Sequence, residues 1–414
     1  MLAILSALGL ACAGSSSSET KPDSGTSPAD ASASKGGPDT AVPDDSSPPS
    51  DGTPVHDARS TSDARGTSEA ADAVALHDAS ATDPGAAAPD ARDAARDTGS
   101  ADAFVPAGPT DGGNAPADFW DSSNVPAAKN VMMFKFLNRT NGKLTDGQVY
   151  WRFKNDTISE LHSIAEQATY DMPANSSGRM YFYLCVDGDT ACAADPTKSK
   201  YFDFIEHTIG ATQYNGNTTR VDAFGLKIAM RLHCADGYDA AVGEDYATFQ
   251  EDRAVTFQKF INEVPAEFQG LAQAPNAPYR IVAPGAGGFD KGGQYATYYD
   301  SFVDQLWAAN GLTVTKPGPN GGGLGSYPDL SAAIYRHVGA VAGTFDATGK
   351  LLSKTLWADA STFYQAAPAN YYALFWHNHA LGGKAYGFPY DDVGSYSSYI
   401  SHAQPQYLLV AIGW

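Results

Sequence analysis

Positive charge is scarce in this sequence: 27 Lys and Arg stand against 47 Asp and Glu, a net charge of −20 at pH 7 over 414 residues. Nucleic-acid binders draw much of their affinity from cations that neutralise phosphates, so nucleic acid is excluded as the principal partner. With only 4 cysteines, the chain is no small disulfide-built scaffold. No apolar stretch approaches the ~20 residues that a bilayer-spanning helix needs, and no repeat of fixed period is present. Aromatic residues are nearly absent from the first quarter, where Phe104 is the only one between Ala13 and Ala115. That stretch of Ser, Ala, Asp, Pro, Gly and Thr cannot bury enough apolar surface to offset the entropy of ordering it, and is expected to be a disordered tail. It also carries most of the acidity, since 18 acidic and 6 basic residues fall before Ala117.

What is there begins with "MLAILSALGLACAGSSSS". Its apolar run from Leu2 to Ala11 is too short to span a membrane and has the length of a secretory signal. The segment resembles a bacterial lipoprotein signal with Cys12 as the lipidated residue, although it has no Lys or Arg before the apolar run and has Gly9 inside it. Two readings stay open: a surface lipoprotein tethered by the acidic linker of residues 13–115, or a plainly secreted protein. Either way the only expected membrane contact is a lipid anchor on a 1–12 signal. In "CVDGDTAC", Cys185 and Cys192 flank a Gly/Asp turn, a spacing that a disulfide closes in an exported protein. Zinc is the weaker alternative because no His or Cys completes the set. Cys234 reads as a single core thiol.

From about Asn114 onward, "NVMMFKFLN", "GQVYWRFK", "GRMYFYLCV", "YFDFIEHTI", "TRVDAFGLKIAMRL" and "PQYLLVAIGW" are short runs of β-branched and aromatic residues bounded by turn formers. They predict antiparallel strands in a sandwich or barrel. "YATFQEDRAVTFQKFINEV" and "QYATYYDSFVDQLWAANG" instead place apolar residues on one helix face, the second ending on the stop signal Asn310-Gly311. The expected organisation is a mostly β region, residues 116–235 and 326–414, interrupted by a mixed α/β insert over 236–325.

The stretch "DFIEHTIGATQYNGNTTRVD" sets Glu206 and Asp222 on either side of a polar, turn-like segment. Strand alternation puts Phe202, Phe204, Glu206 and Thr208 on one face and Asp203, Ile205, His207 and Ile209 on the other. Arg220 and Asp222 would share a face of the following strand, the cation keeping the acid ionised. A two-residue turn at Asn215-Gly216 would leave Glu206 and Asp222 on opposite faces, whereas an odd loop centred on Tyr214 would set them side by side. Periodicity does not choose between these. Two carboxyls with split environments are what glycosidic hydrolysis uses, one protonating the leaving oxygen and one acting on water or sugar. The apolar neighbours of Glu206 would raise its carboxyl as an acid requires.

The order of "GRMYFYL", "YFDFIEHTI", "TTRVDAFGLKIAM", "YRIVAPG", "LSAAIYRHVGAV" and "NHALGGKAYGFPYDDVG" resembles the glycoside hydrolase family 64 β-1,3-glucanases from about Asn124 to Trp414. The segment "GKAYGFPYDDV" is also similar to thaumatin-like proteins. The resemblance implies a thaumatin-like β-sandwich or barrel with an open groove against the α/β insert, binding a β-1,3-glucan chain. It implies inverting endo-hydrolysis with Glu206 as general acid and Asp222 as general base, needing no cofactor and no metal, in a monomer. Thr208, Asp391 and Asp392 are the implied sugar contacts, with a turn cap the alternative for Asp391. Inversion calls for carboxyls about 6.5–9.5 Å apart, wider than facing cross-strand neighbours, so a diagonal or bulged arrangement is expected. His207 turns to the face opposite the acid, as a packed or solvated histidine. His377 and His379 in "WHNH" alternate as in a strand and lack a carboxylate ligand, which argues against a metal. Trp151, Trp357 and Trp376 could stack on glucose but read more simply as core, as do Arg336 and His337. A glucan-binding protein that has lost catalysis is the rival reading, and retention of both carboxylates favours the enzyme.

Overall fold

A computed structural model describes residues 115–318, 327–338, 342–352 and 360–414; Cys12, the acidic linker and Trp357 lie outside them. Two-residue alternation of apolar and polar side chains builds its strands. They are β1 Met132–Asn138, β2 Val149–Lys154, β3 Ser159–Ser163, β4 Thr169–Met172, β5 Ser176–Leu184, β6 Phe202–Ile209 and β7 Gln213–Thr218. After these come β8 Ala223–Phe224, β9 Lys227–Cys234, β10 Asp239–Gly243, β11 Ile281–Val282, β12 Tyr399–Ala403 and β13 Pro405–Gly413. One sheet has the order β10-β9-β13-β1-β4 and the other β12-β7-β6-β5-β2-β3, with β11-β8 as a separate ribbon. The β1–β13 pair is parallel, Phe134 facing Leu408.

In β2, Val149, Trp151 and Phe153 point inward while Tyr150, Arg152 and Lys154 point out. The inward set meets Phe134 and Phe136 of β1, Met180 and Phe182 of β5, Ile205 and Ile209 of β6, and Leu408 and Val410 of β13 in one core. Trp151 stacks on Phe136 with centroids 4.7 Å apart, and its Nε1 donates to the Gln167 carbonyl at 2.7 Å. Each such side chain contributes about 1.5–3 kcal/mol by leaving water, and the result is a two-sheet sandwich.

Helices form a second core beside it. In helix Arg253–Glu263, Phe257 and Phe260 share a face with Val264, and they pack with Phe224, Phe375 and Trp376. Helix Asp300–Asn310 ends at Gly311 in a left-handed conformation, φ 58°, as the Asn-Gly signal predicts. The helical stretch nevertheless runs past the boundary expected at 325. Pro328–Arg336 and Tyr371–Asn378 are also helices, and among the described residues the next strand of the two sheets is β12, starting at Tyr399. His377 therefore lies in a helix, not a strand, with His379 as its C-terminal cap. Asn370 starts that helix by accepting from the Ala373 amide, a side-chain cap that overrides the apparent alternation of "WHNH".

Cys185 and Cys192 form a disulfide with Cα atoms 5.4 Å apart. Cys234 is a buried free thiol, and burial pushes it up to about 11.

Candidate active site

Strand register assembles a polar face. Across the outer side of the six-stranded sheet, Tyr399, Asn217, Glu206 and Arg179 occupy one cross-strand row, and Ser401, Asn215, Thr208 and Ser177 the next. The second row is knitted by hydroxyls: Ser177 Oγ donates to Thr208 Oγ1 at 3.0 Å, while Tyr399 and Ser401 donate to Asn215 Oδ1 at 2.9 and 2.7 Å. Phe202 and Phe204 share this face with Glu206 and Thr208, as alternation predicts.

The β6–β7 register differs from both arrangements considered from sequence. Ile209 pairs with Tyr214 and Glu206 with Asn217, and Gly210 donates to the Gln213 carbonyl at 2.8 Å, so the turn falls at Ala211-Thr212. Asn215-Gly216 is strand. Glycine is required at 216 for a close approach and not for a turn. A Cβ there would lie 2.2 Å from Tyr214 Oη and 2.9 Å from the Glu206 carbonyl. Asp222 consequently lies beyond the end of β7, in the exposed link to β8, and is not a facing neighbour of Glu206. The Ala283 amide donates to its carbonyl at 3.1 Å.

Glu206 is held by Arg179, its direct cross-strand partner. Arg179 Nε and Nη2 reach the same oxygen, Oε1, at 3.0 and 2.8 Å, and both side chains are 17% exposed. The guanidinium also lies over the Phe204 ring, 4.1 Å from its centroid. Burial raises the Glu206 carboxyl, Arg179 opposes that, and the charge of Asp222 adds to it, leaving the group above the usual carboxylate range. The two carboxyls are thus within electrostatic reach. One is partly buried and favours its proton, and the other is open to water.

Arg220 does not flank the Asp222 carboxylate. Its guanidinium turns into the interior, where Asp203 and Glu244 hold it, because a fully buried cation needs buried anions. Asp391 is likewise no sugar contact. It has no exposed surface, its Oδ1 accepts from Arg336 at 3.0 Å, and its Oδ2 accepts from the Gly387 amide at 2.8 Å and meets His377 Nε2 at 3.0 Å. Burial would raise this carboxyl, but His377 and Arg336 outweigh it and hold it low. Asp392 is less buried and is pushed up mainly by desolvation. Tyr386 links the two regions: burial and the charges of Asp392, Asp391 and Glu206 all raise its phenol.

His207 faces the sandwich core, 4% exposed, its ring 5.3 Å from those of Phe134 and Phe153. Burial lowers it to about 3, so it is neutral at physiological pH. His379 pairs with Glu263 at 2.7 Å, and no group of three His, Cys, Asp or Glu side chains among the described residues is arranged for a metal ion. Trp151 and Trp376 are buried in the two cores.

Arg179, Tyr386, Asp203 and Glu244 escaped the sequence reading. For Asp203 a signal existed, an acid on the same strand face as Ile205 and Ile209, which demands a buried partner.

Residues 136–321 and 325–412 match the family described as beta-1,3-glucanase, glycoside hydrolase family 64. A glucan endo-1,3-beta-glucosidase from Arthrobacter sp. (strain YCWD3) is 26% identical over 55% of this chain and 49% of its own, and the relative from Cellulosimicrobium cellulans shows the same figures. The chain spans about half the length of these curated relatives. Among solved structures, the family 64 laminaripentaose-producing β-1,3-glucanase from Paenibacillus barengoltzii is 31% identical, with a TM-score of 0.55 over 73% of this chain and 78% of that one. A β-1,3-glucanase domain from Clostridium beijerinckii, 22% identical with a TM-score of 0.56, covers 70% of this chain and shares the fold.

Proposed function

The chain belongs to the glycoside hydrolase family 64 β-1,3-glucanases, and on that footing we propose that it cleaves β-1,3-glucan internally with inversion at the anomeric carbon. Glu206 is the general acid. Arg179 fixes Oε1, which leaves Oε2 to carry the proton to the glycosidic oxygen as the bond to the anomeric carbon breaks. Asp222 is the general base, drawing a proton from the water that attacks the opposite face of the sugar. The observation that carries the reading is the split environment of the pair, a raised, half-buried Glu206 within reach of an exposed Asp222. The position of Asp222 beyond β7, rather than opposite Glu206, supports a separation wide enough for a water, about 6.5–9.5 Å.

Thr208, in the row next to that of the acid, and Asp392, whose charge reaches Tyr386 and Tyr399, are proposed sugar contacts in an open groove between the sandwich and the helical layer. Asn217 and Tyr399 extend the same polar surface. The disulfide supports folding in an oxidising compartment, in line with export, either lipid-anchored through Cys12 or secreted. The working unit is proposed to be a monomer.

The test is hydrolysis of laminarin and curdlan by the protein beside Glu206→Gln and Asp222→Asn, with the product anomer read by proton NMR before mutarotation. Initial α-anomer and loss of activity in both variants are expected. Initial β-anomer would overturn inversion. Curdlan binding with no released sugar would favour a non-catalytic glucan binder.

A further inference from the structure

Asp222 sits on a short link whose two sides are gripped by one buried carboxylate. Asp203 Oδ2 accepts from Arg220 Nη1 at 2.8 Å on the near side of Asp222, and from the amides of Gly225 at 2.8 Å and Leu226 at 3.0 Å on the far side. Asp203 belongs to β6, the strand that carries Glu206. The link also lies hard against that strand: a Cβ at Gly225 would come 2.0 Å from the Phe202 carbonyl.

Arg220 ties the link to everything else around the site. Its Nε and Nη2 reach Glu244 Oε1 at 2.8 and 2.6 Å, and its Nη2 also donates to the Leu226 carbonyl at 2.9 Å. Glu244 Oε2 accepts from the Ile228 amide at 2.7 Å, at the start of β9. The Arg220 amide donates to the Tyr386 carbonyl at 2.7 Å, and Tyr372 Oη donates to the Arg220 carbonyl at 2.7 Å. One residue therefore joins the strand of the acid, the link of the base, the segment bearing Tyr386 and a helix of the second core. The groups facing the guanidinium are Asp203, Glu244, Tyr372, Arg280 and the rings of Phe224 and Trp376, and Arg280 also faces Asp222. Those facing Glu206 are Arg179, Asn217, Tyr386 and Asp222.

We propose that Arg220, clamped between Asp203 and Glu244, is a positioning residue that sets the separation of Glu206 and Asp222. The inference rests on the reading of those two as the catalytic pair. Arg220 is itself buried, 2% exposed, so it acts through the segments it holds. Its effect is on geometry, where a displacement of ~1 Å costs on the order of 100-fold in rate.

The experiment compares wild type, Arg220→Lys and Tyr372→Phe on laminarin, with kcat and KM measured separately per folded molecule and kcat/KM followed against pH. Folding is checked by near-UV circular dichroism and thermal unfolding. Both variants are expected to keep KM within about twofold while kcat falls, on the order of 100-fold for R220K and about tenfold for Y372F. The basic limb of kcat/KM should move to lower pH as Asp222, whose charge raises Glu206, recedes. Lost folded protein at unchanged rate per folded molecule, or a folded pair with wild-type kcat and an unmoved limb, overturns the proposal. Should R220K not fold, Y372F alone decides. Wild-type activity in E206Q and D222N would remove the catalytic reading and this inference with it. Inactivity of those two beside wild-type behaviour of R220K and Y372F would remove this inference alone.

Discussion

Replacing His207 by leucine should stabilise the protein, and by more as the solution becomes more acidic. The ring is packed between Phe134 and Phe153, and neither Nδ1 nor Nε2 has a protein partner among the described residues. An unpartnered buried polar atom costs about 1–3 kcal/mol, and an imperfect apolar replacement costs up to about 1.5 kcal/mol, so His207→Leu is expected to gain about 1 kcal/mol at pH 7. Acid widens the gap. Burial holds the folded histidine at about 3, against 6.5 for a free imidazole. The unfolded chain therefore binds the extra proton, and stability falls as pH drops from 6.5 toward about 3. At about 1.4 kcal/mol per pH unit between the two values, the wild-type protein loses about 2 kcal/mol by pH 5 and about 4 kcal/mol by pH 3 through this one side chain. Its carboxylates titrate equally in both proteins and cancel in the comparison. Urea unfolding followed by tryptophan fluorescence at pH 7, 6 and 5 measures the difference. A gap between H207L and wild type that stays constant from pH 7 to pH 5 would refute the reasoning.

Glu206→Gln and Asp222→Asn should each lower kcat on laminarin by about 10²–10⁴ with little change in KM. Arg179→Met removes the cation that opposes burial of Glu206, so the acid should keep its proton to higher pH and the basic limb of the kcat/KM profile should move upward; a downward move would show that Arg179 acts otherwise. The Cys185–Cys192 bridge closes a span of 7 residues, and the C185A/C192A protein should be less stable by about 2–3 kcal/mol, read as a lower urea midpoint. Asp392→Asn should raise KM for laminarin, whereas the buried Asp391→Asn should chiefly lower the thermal midpoint.

Much of the sandwich was legible because period-2 patterning is a local property. "VYWRFK" declares its inner face through Val149, Trp151 and Phe153, and "FDFIEHTI" declares the shared face of Phe204, Glu206 and Thr208. The turn between β6 and β7 was not legible. Asn215-Gly216 has turn chemistry, but the glycine is there because the Tyr214 ring lies over it, a packing demand invisible in a linear string. Arg179 was missed for a related reason: it meets Glu206 only through a β5–β6 register set across the intervening segment that contains the disulfide. The "DD" of residues 391 and 392 looked like one polar feature. Burial separates them, one acid locked between Arg336 and His377 and the other nearer the surface. The helix at Tyr371–Asn378 reads ambiguously because nearly all its residues are apolar or aromatic and periodicity fades when every face is buried.

The place of β13 bears on how such a molecule comes to be made. It lies between β9 and β1, so residues 405–413 complete the middle of a sheet whose other strands are translated long before. Until those residues emerge, β1 and β9 present open backbone edges and the sandwich core lacks Leu408, Val410 and Ile412. A nascent chain in that condition is prone to edge-to-edge association. Closure joins segments far apart in sequence, which makes it slow. The sandwich is therefore suited to a route that keeps the chain extended until synthesis has passed residue 413, and a premature stop before β13 would yield an aggregating product in place of a weakened enzyme.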